Sequence, residues 1–137
     1  MIKYLLGAFA LAVALSAATV SVGQEAKPQD SLKVFFDTGS SQINSEQQVV
    51  LDQAARLFRE GNPIVMIVSG VADTVGEPAK NLRLSLERAE AVAEGLSARG
   101  IPTERLQVLG RGVSELEVET ASGVPEEQNR VAEITWR

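Results

Sequence analysis

The chain has 137 residues and contains neither cysteine nor histidine. This length fits a single domain, and the two missing residue types exclude disulfides, thiol nucleophiles, histidine-based catalysis and most zinc sites. The formal net charge of −5 argues against binding to a nucleic-acid backbone, which requires a basic surface.

Residues 1–23 have the pattern of a secretory signal peptide. Lys3 is the one charged residue there, and an apolar run and then small residues follow it up to Gly23. We predict export and cleavage after Gly23, with residues 24–30 as a short linker. An uncleaved anchor is the alternative, because the uncharged stretch is about long enough to span a bilayer. Membrane contact is expected only in that case.

The chain then alternates between strand and helix patterns. Ser31–Phe36 predicts a first strand, which ends at a polar turn. A first helix is predicted from Ser45, which forms a capping-box pattern with Gln48, to Gly61, which has the place of a terminating glycine. The continuous apolar run Pro63–Val68 predicts a second strand, covered on at least one face.

A second helix is predicted from Pro78 to Arg99, and two further strands are predicted at Leu106–Leu109 and Arg130–Trp136. The core stripe expected for this second helix consists of apolar residues at helical spacing, namely Leu82, Leu86, Ala89, Ala93 and Leu96. We interpret Trp136 as a core residue, with an exposed partner contact as the alternative. The order β-α-β-α-β-β predicts an α/β sandwich, with a mixed four-stranded sheet and two main helices on one face.

Candidate chemistry lies between the second strand and the second helix. Asp73 precedes a helix start, where N–H groups favour anions, but Asp73 and Gly76 also fit an ordinary type I turn. Asn81, Ser85 and Arg88 form a polar stripe, which alone is typical of a solvated face. Taken together, Asp73 and Arg88 suit a groove for a zwitterion, with its carboxylate on the arginine and its ammonium on the aspartate.

Several motifs at fixed spacing resemble one known family. Residues 73–76 read D-T-V-G and residues 81–89 read N-L-R-L-S-L-E-R-A, which matches D-x-x-G…N-x-x-L-S-x-x-R-A. The opening F-D-T-G-S-S-Q-I and the closing N-R-V-A-E-I also fit the family pattern. The chain from residue 34 to residue 134 thus resembles the OmpA-like peptidoglycan-binding domain, of the OmpA C-terminal and MotB type. We assign this domain to residues 31–137.

The resemblance implies the same β-α-β-α-β-β fold and non-catalytic, non-covalent binding of peptidoglycan in the periplasm, through the diaminopimelate of the stem peptide. Such a protein anchors or senses the cell wall. The family's ligand-binding positions are occupied here by Asp73 and Arg88, which are expected to hold the diaminopimelate head group, and by Thr74, Asn81, Leu82 and Arg130. Peptidoglycan and other envelope proteins are the expected partners, and no cofactor, metal or nucleic acid is expected.

Two residues depart from the family pattern near this site. Val71 stands where a histidine or tyrosine is usual, and Val131 replaces the second arginine of the closing N-R-R. The loss of one charge-assisted contact costs about 1.5–3 kcal/mol. The alternative function is therefore a periplasmic protein-interaction module with weakened or lost peptidoglycan binding. A hydrolase is disfavoured because no nucleophile has an evident base, and the acidic residues 115–128 are expected to form a solvated loop.

Overall fold

The computed structural model describes residues 31–137, so the predicted signal peptide and linker lie outside the described residues. The main elements are β1 (Leu32–Phe35), α1 (Gln48–Gly61), β2 (Met66–Val71), α2 (Pro78–Ala98), β3 (Leu106–Gly110) and β4 (Val131–Trp136). The strand order in the sheet is β1-β4-β2-β3. β2 and β3 are parallel, and β4 is antiparallel to both β1 and β2. The predicted β-α-β-α-β-β fold with a mixed four-stranded sheet is confirmed.

The core lies between one face of the sheet and the two helices. Alternate strand residues and the inner faces of the helices bury their apolar side chains there, among them Val34, Val68, Ile134, Leu51, Val92 and Leu96. Trp136 is partly buried and packs against this cluster, as the alternation along the last strand predicts. Within residues 31–137, no helix packs on the opposite face of the sheet, which carries polar residues such as Ser69, Glu133 and Thr135.

The second strand begins later than predicted. Ile64 is 79% exposed, and the strand runs from Met66 to Val71. Arg105 donates hydrogen bonds to the carbonyl oxygens of Pro63 and Ile64, and the backbone of residues 64 and 65 bonds to Arg137 next to the end of β4. Hydrophobicity alone does not reveal that the carbonyl groups before Met66 have a side-chain partner.

Both predicted ends of the first helix are wrong in detail. No side chain caps the start of α1 or the short 3₁₀ turn before it, so the capping box of Ser45 and Gln48 does not form. At the other end, Gly61 is still helical, and Asn62 is the left-handed residue, with φ 43°. Asparagine tolerates this conformation, and the Asn62 side chain accepts a hydrogen bond from Arg105 at 3.0 Å.

The buried stripe of α2 differs from the predicted one. Leu82 and Leu86 are 53% and 39% exposed, although they were expected in the core. The sheet is faced instead by a row that is polar in its first half, namely Asn81, Ser85, Arg88, Ala89, Val92 and Leu96. Gly70 is the reason, since it lets the backbone of Ser85 approach β2 closely. Only small or hydrogen-bonded side chains fit between a helix and a sheet at such a distance.

We predict that Gly70→Ala lowers the free energy of unfolding by about 1–3 kcal/mol, as overpacking does in well-packed interiors. A Cβ at Gly70 would overlap the Ser85 carbonyl oxygen and lie 3.3 Å from Cβ of Ala89. Gly61→Ala is the matched control, because its Cβ would meet nothing within 4 Å. This control should be neutral or slightly stabilising. Urea denaturation of both variants checks the prediction, which fails if the two midpoints agree.

The open face of the sheet holds a pair of interacting carboxyl groups. Burial raises the pKa of Glu133, and the hydrogen bond and charge of Glu117 raise it further. The hydrogen bond from Lys33, at 3.0 Å, is the main cause that lowers the pKa of Glu117. The Glu133 carboxyl therefore stabilises the fold below its ordinary pKa of 4.5, and this stabilisation is lost as the pH rises through its raised value.

We therefore expect Glu133→Gln to stabilise the protein at neutral pH by about 0.5–1 kcal/mol, because it removes a partly buried charge beside the like charge of Glu117. The gain should vanish at a pH below 4.5, where Glu133 is itself protonated. Thermal unfolding at the two pH values measures this difference. Glu60→Gln on the exposed face of α1 is the control for the change in net charge.

Candidate ligand-binding site

Asp73 lies just after β2 and is only 6% exposed. Its Oδ2 atom accepts contacts from Nη1 of Arg130 at 3.3 Å and from the backbone N of Glu126 at 3.5 Å. Its Oδ1 atom accepts from the backbone N of Val75 at 3.4 Å. Asp73 thus makes a contact within its own loop and also forms an ion pair with Arg130, another predicted site residue.

Arg88 is fully buried, in contrast to the solvated stripe that helical spacing indicates. Its guanidinium donates to three backbone carbonyl oxygens: Nε to Ser40 at 2.9 Å, Nη1 to Val71 at 3.1 Å and Nη2 to Asp37 at 3.2 Å. It also lies 5.4 Å from the ring centre of Phe36. Arg88 therefore ties α2 to the end of β2 and to the segment that follows β1.

Arg88, Asp73 and Arg130 form an electrostatic cluster. Burial lowers the pKa of Arg88 to about 10, the charge of Asp73 opposes this shift, and the charge of Arg130 adds to it. This pKa is still well above neutral pH, so the Arg88 guanidinium is charged there. The cluster therefore places two cations beside one anion. Its excess positive charge favours an anionic group such as a carboxylate.

Thr74 contacts the acidic segment that was expected to be a solvated loop. Its Oγ1 atom donates to the carbonyl oxygen of Ala121 at 2.8 Å, and its carbonyl oxygen accepts from the backbone N of Gly123 at 2.9 Å. The buried Asn129 holds the same segment through two hydrogen bonds to the backbone of Val118, at 2.7 and 2.9 Å. Segment 115–128 is therefore folded over the site. Asn129 was not among the predicted site residues, although it opens the closing N-R-V motif.

Two cavities flank the cluster. One of about 300 Å³ is lined by Thr74 and Asn81, together with Thr120 and Ser122. A smaller one of about 140 Å³ has Arg130 in its wall. Polar groups from the start of α2 and from segment 115–128 therefore face space that a polar ligand can occupy.

Five of the six predicted site residues come together in this region. Asp73, Arg88 and Arg130 form the cluster, and Thr74 and Asn81 line the larger cavity. Leu82 does not line the larger cavity. It borders a separate depression of about 430 Å³ with Ala79, Arg83, Leu86 and Gly110.

The two departures from the family pattern are neighbours in the sheet. Val71 and Val131 lie opposite each other in the β2–β4 register, and both are buried. They form an apolar pair directly beside the cluster, since the carbonyl oxygen of Val71 accepts from Arg88. Because Val131 carries no charge, Arg130 is the residue of the closing motif that forms an ion pair with Asp73.

Within residues 31–137, no group of three or more acidic or other metal-binding side chains is placed to hold a metal ion. Over the same residues, no helix combines the length and the hydrophobicity that a membrane span requires.

Comparison with known proteins agrees with the fold. Residues 35–130 match the family model of the OmpA family. The peptidoglycan-associated lipoprotein of Mesorhizobium japonicum is 31% identical over 96 residues, which cover 70% of this chain and 57% of that protein. The chain thus spans little more than half the length of this curated relative.

Two solved structures are similar over most of the described residues. The peptidoglycan-associated lipoprotein from Burkholderia pseudomallei has a TM-score of 0.71 and 25% identity, over 77% of this chain and 90% of that chain. The cell wall anchor of the T6SS from Pseudomonas aeruginosa has a TM-score of 0.65 and 26% identity, over 77% of this chain and 79% of the other. By its family match and its fold, this chain belongs to the OmpA family.

Proposed function

We propose that the chain is a non-catalytic module that binds peptidoglycan non-covalently in the periplasm and thereby anchors or senses the cell wall. Relatives named as peptidoglycan-associated lipoproteins and a structural neighbour named as a cell wall anchor support this function. The lack of histidine and cysteine in the whole sequence supports the non-catalytic part.

The observation that carries the proposal is the poorly bonded carboxylate of Asp73. All three of its contacts are 3.3–3.5 Å long, whereas charge-assisted hydrogen bonds are about 2.7–2.9 Å. A carboxylate that is only 6% exposed has lost most of its water and needs a better partner. The ammonium group of a ligand meets this need.

Diaminopimelate has the complementary groups. Its free end carries an ammonium group, which we place on Asp73, and a carboxylate, which we place beside Arg130 with the charge of Arg88 beneath. Arg88 donates three hydrogen bonds to backbone carbonyl groups, and a guanidinium has five N–H donors. Two N–H groups thus remain free of these carbonyl groups, and their charge favours a ligand carboxylate nearby.

A periplasmic protein-interaction module is the second candidate. It is favoured by the internal hydrogen bonds of Arg88 and by the apolar pair of Val71 and Val131. In that case the cluster is a structural element, and the site binds diaminopimelate weakly or not at all.

Competition distinguishes the two candidates. The protein is purified from the soluble extract of cells that express the full chain, and its binding to soluble diaminopimelate-containing muropeptides is measured by calorimetry. We expect free diaminopimelate to compete. Nα-acetyl-lysine amide, whose free end carries an ammonium group but no carboxylate, should not compete. Equal competition by both compounds contradicts diaminopimelate recognition, and the absence of muropeptide binding favours the interaction module.

A further inference from the structure

Among residues 31–137, no strand pairs with the outer edge of β3. β3 is the last strand on its side of the sheet, and its sequence L-Q-V-L-G contains neither a charge nor a proline. Within residues 31–137, no side chain donates to or accepts from its backbone. The other edge strand differs, since β1 carries Lys33 and its Phe35 backbone N donates to the Gln47 side chain at 2.9 Å. Exposed edges without such protection are sites of strand pairing.

An apolar surface continues from this edge onto α2. Leu86 is 39% exposed and Leu82 is 53% exposed. Leu109 is also 39% exposed, but it alternates with the core-facing Val108 and so lies on the opposite face of the sheet. Leu86 lies against Gly110 at the end of β3. Leu82 and Leu86 belong to the stripe that the sequence predicts as core, yet the fold leaves them on the surface. Contiguous apolar surface of this kind marks an interaction site.

The exposed charges of α2 differ in sign along its length. Lys80 and Arg83 lie in its first two turns, whereas Glu87, Glu90 and Glu94 follow toward its end, and all five are exposed. A second copy of α2 that runs antiparallel places the cationic start of one helix beside the acidic end of the other.

We propose that two copies of this chain associate through β3 and α2 about a two-fold axis beside Leu86 and Leu109. The two β3 strands then pair antiparallel and join the two sheets. The exposed leucines become buried near the axis, and Arg83 of each copy lies near Glu94 of the other. A two-fold interface requires such a self-complementary surface. This inference does not depend on peptidoglycan binding.

Engineered cysteines test the pairing, because the sequence has none of its own. Residues at the axis of an antiparallel pair have Cα atoms about 4.5–5.5 Å apart, within the disulfide range of about 4.4–6.8 Å. Leu109→Cys in the otherwise full chain should therefore yield a disulfide-linked dimer under mild oxidation. Gln107→Cys is the matched control on the same strand, since its two copies lie about 13 Å apart. Equal cross-linking of both variants overturns the proposal.

Charge reversal gives an independent test by sedimentation equilibrium in the absence of peptidoglycan. Arg83→Glu and Glu94→Arg should each weaken the dimer about tenfold or more. Each substitution creates two like-charge contacts, one in each half of the two-fold interface. The double variant should restore association. Arg56→Glu on the exposed face of α1 is the control and should leave the dimer affinity unchanged. A wild-type protein that stays monomeric at all concentrations, or a double variant that is not restored, overturns the proposal.

Discussion

Replacing Arg88 with alanine is expected to lower the free energy of unfolding by about 3–5 kcal/mol, the usual cost of breaking a buried charge network. The substitution leaves the carbonyl oxygens of Asp37, Ser40 and Val71 without their donor and opens a cavity beside Phe36. Arg88 is fully buried, so water cannot replace the lost hydrogen bonds without entering the interior.

Urea denaturation of Arg88→Ala, Arg88→Lys and Arg83→Ala measures this effect. The exposed Arg83 lies on the same helix, and its loss should change stability by no more than about 0.5 kcal/mol. The free energy of unfolding of Arg88→Lys should lie between those of the two alanine variants. Lysine keeps the charge but cannot form the planar fork that reaches three carbonyl groups. If Arg88→Ala is no less stable than Arg83→Ala, the structural role of the guanidinium is wrong.

The second large effect is expected on binding. Asp73→Asn should weaken peptidoglycan binding about ten- to a hundredfold, which corresponds to one charge-assisted contact of about 1.5–3 kcal/mol. Asparagine keeps the shape of the side chain and an oxygen that can accept from Val75, so the turn should persist. The lost charge removes the partner of a ligand ammonium group.

Asp52→Asn is the matched control for this substitution. Asp52 is a carboxylate on α1 whose side chain is 68% exposed, and it forms an ion pair with Arg99. Its neutralisation changes the net charge as Asp73→Asn does but leaves the site intact. Equal losses of binding in the two variants would mean that net charge, not the site, governs the interaction.

The alternation of strands and helices was predictable because it follows from local patterns. Apolar runs, Pro78 at the start of α2 and Gly100 after its end gave the element order, and the sheet confirms it. The rotation of α2 was not predictable in this way. It depends on the close approach of Gly70 to Ser85, which hydrophobic periodicity does not contain. Leu82 and Leu86 therefore looked like core residues but lie at the surface.

The site was predictable in its members but not in its contacts. The motif spacing selected Asp73, Arg88 and Arg130, which the structure brings together. The carbonyl partners of Arg88 lie as far as 51 positions away in the sequence, and Arg130 is 57 positions from Asp73. Such contacts depend on how distant segments pack, as does the folding of segment 115–128 onto Thr74. A single-sequence pattern does not specify them.

Co-sedimentation with diaminopimelate-type peptidoglycan sacculi tests the proposed function most directly. The wild-type protein, Asp73→Asn and Asp52→Asn are compared, and circular dichroism confirms that each is folded. We expect the wild type and Asp52→Asn to pellet with the sacculi while Asp73→Asn remains in the supernatant. A folded wild type that stays in the supernatant, or an Asp73→Asn variant that pellets as the wild type does, would contradict peptidoglycan binding through this site.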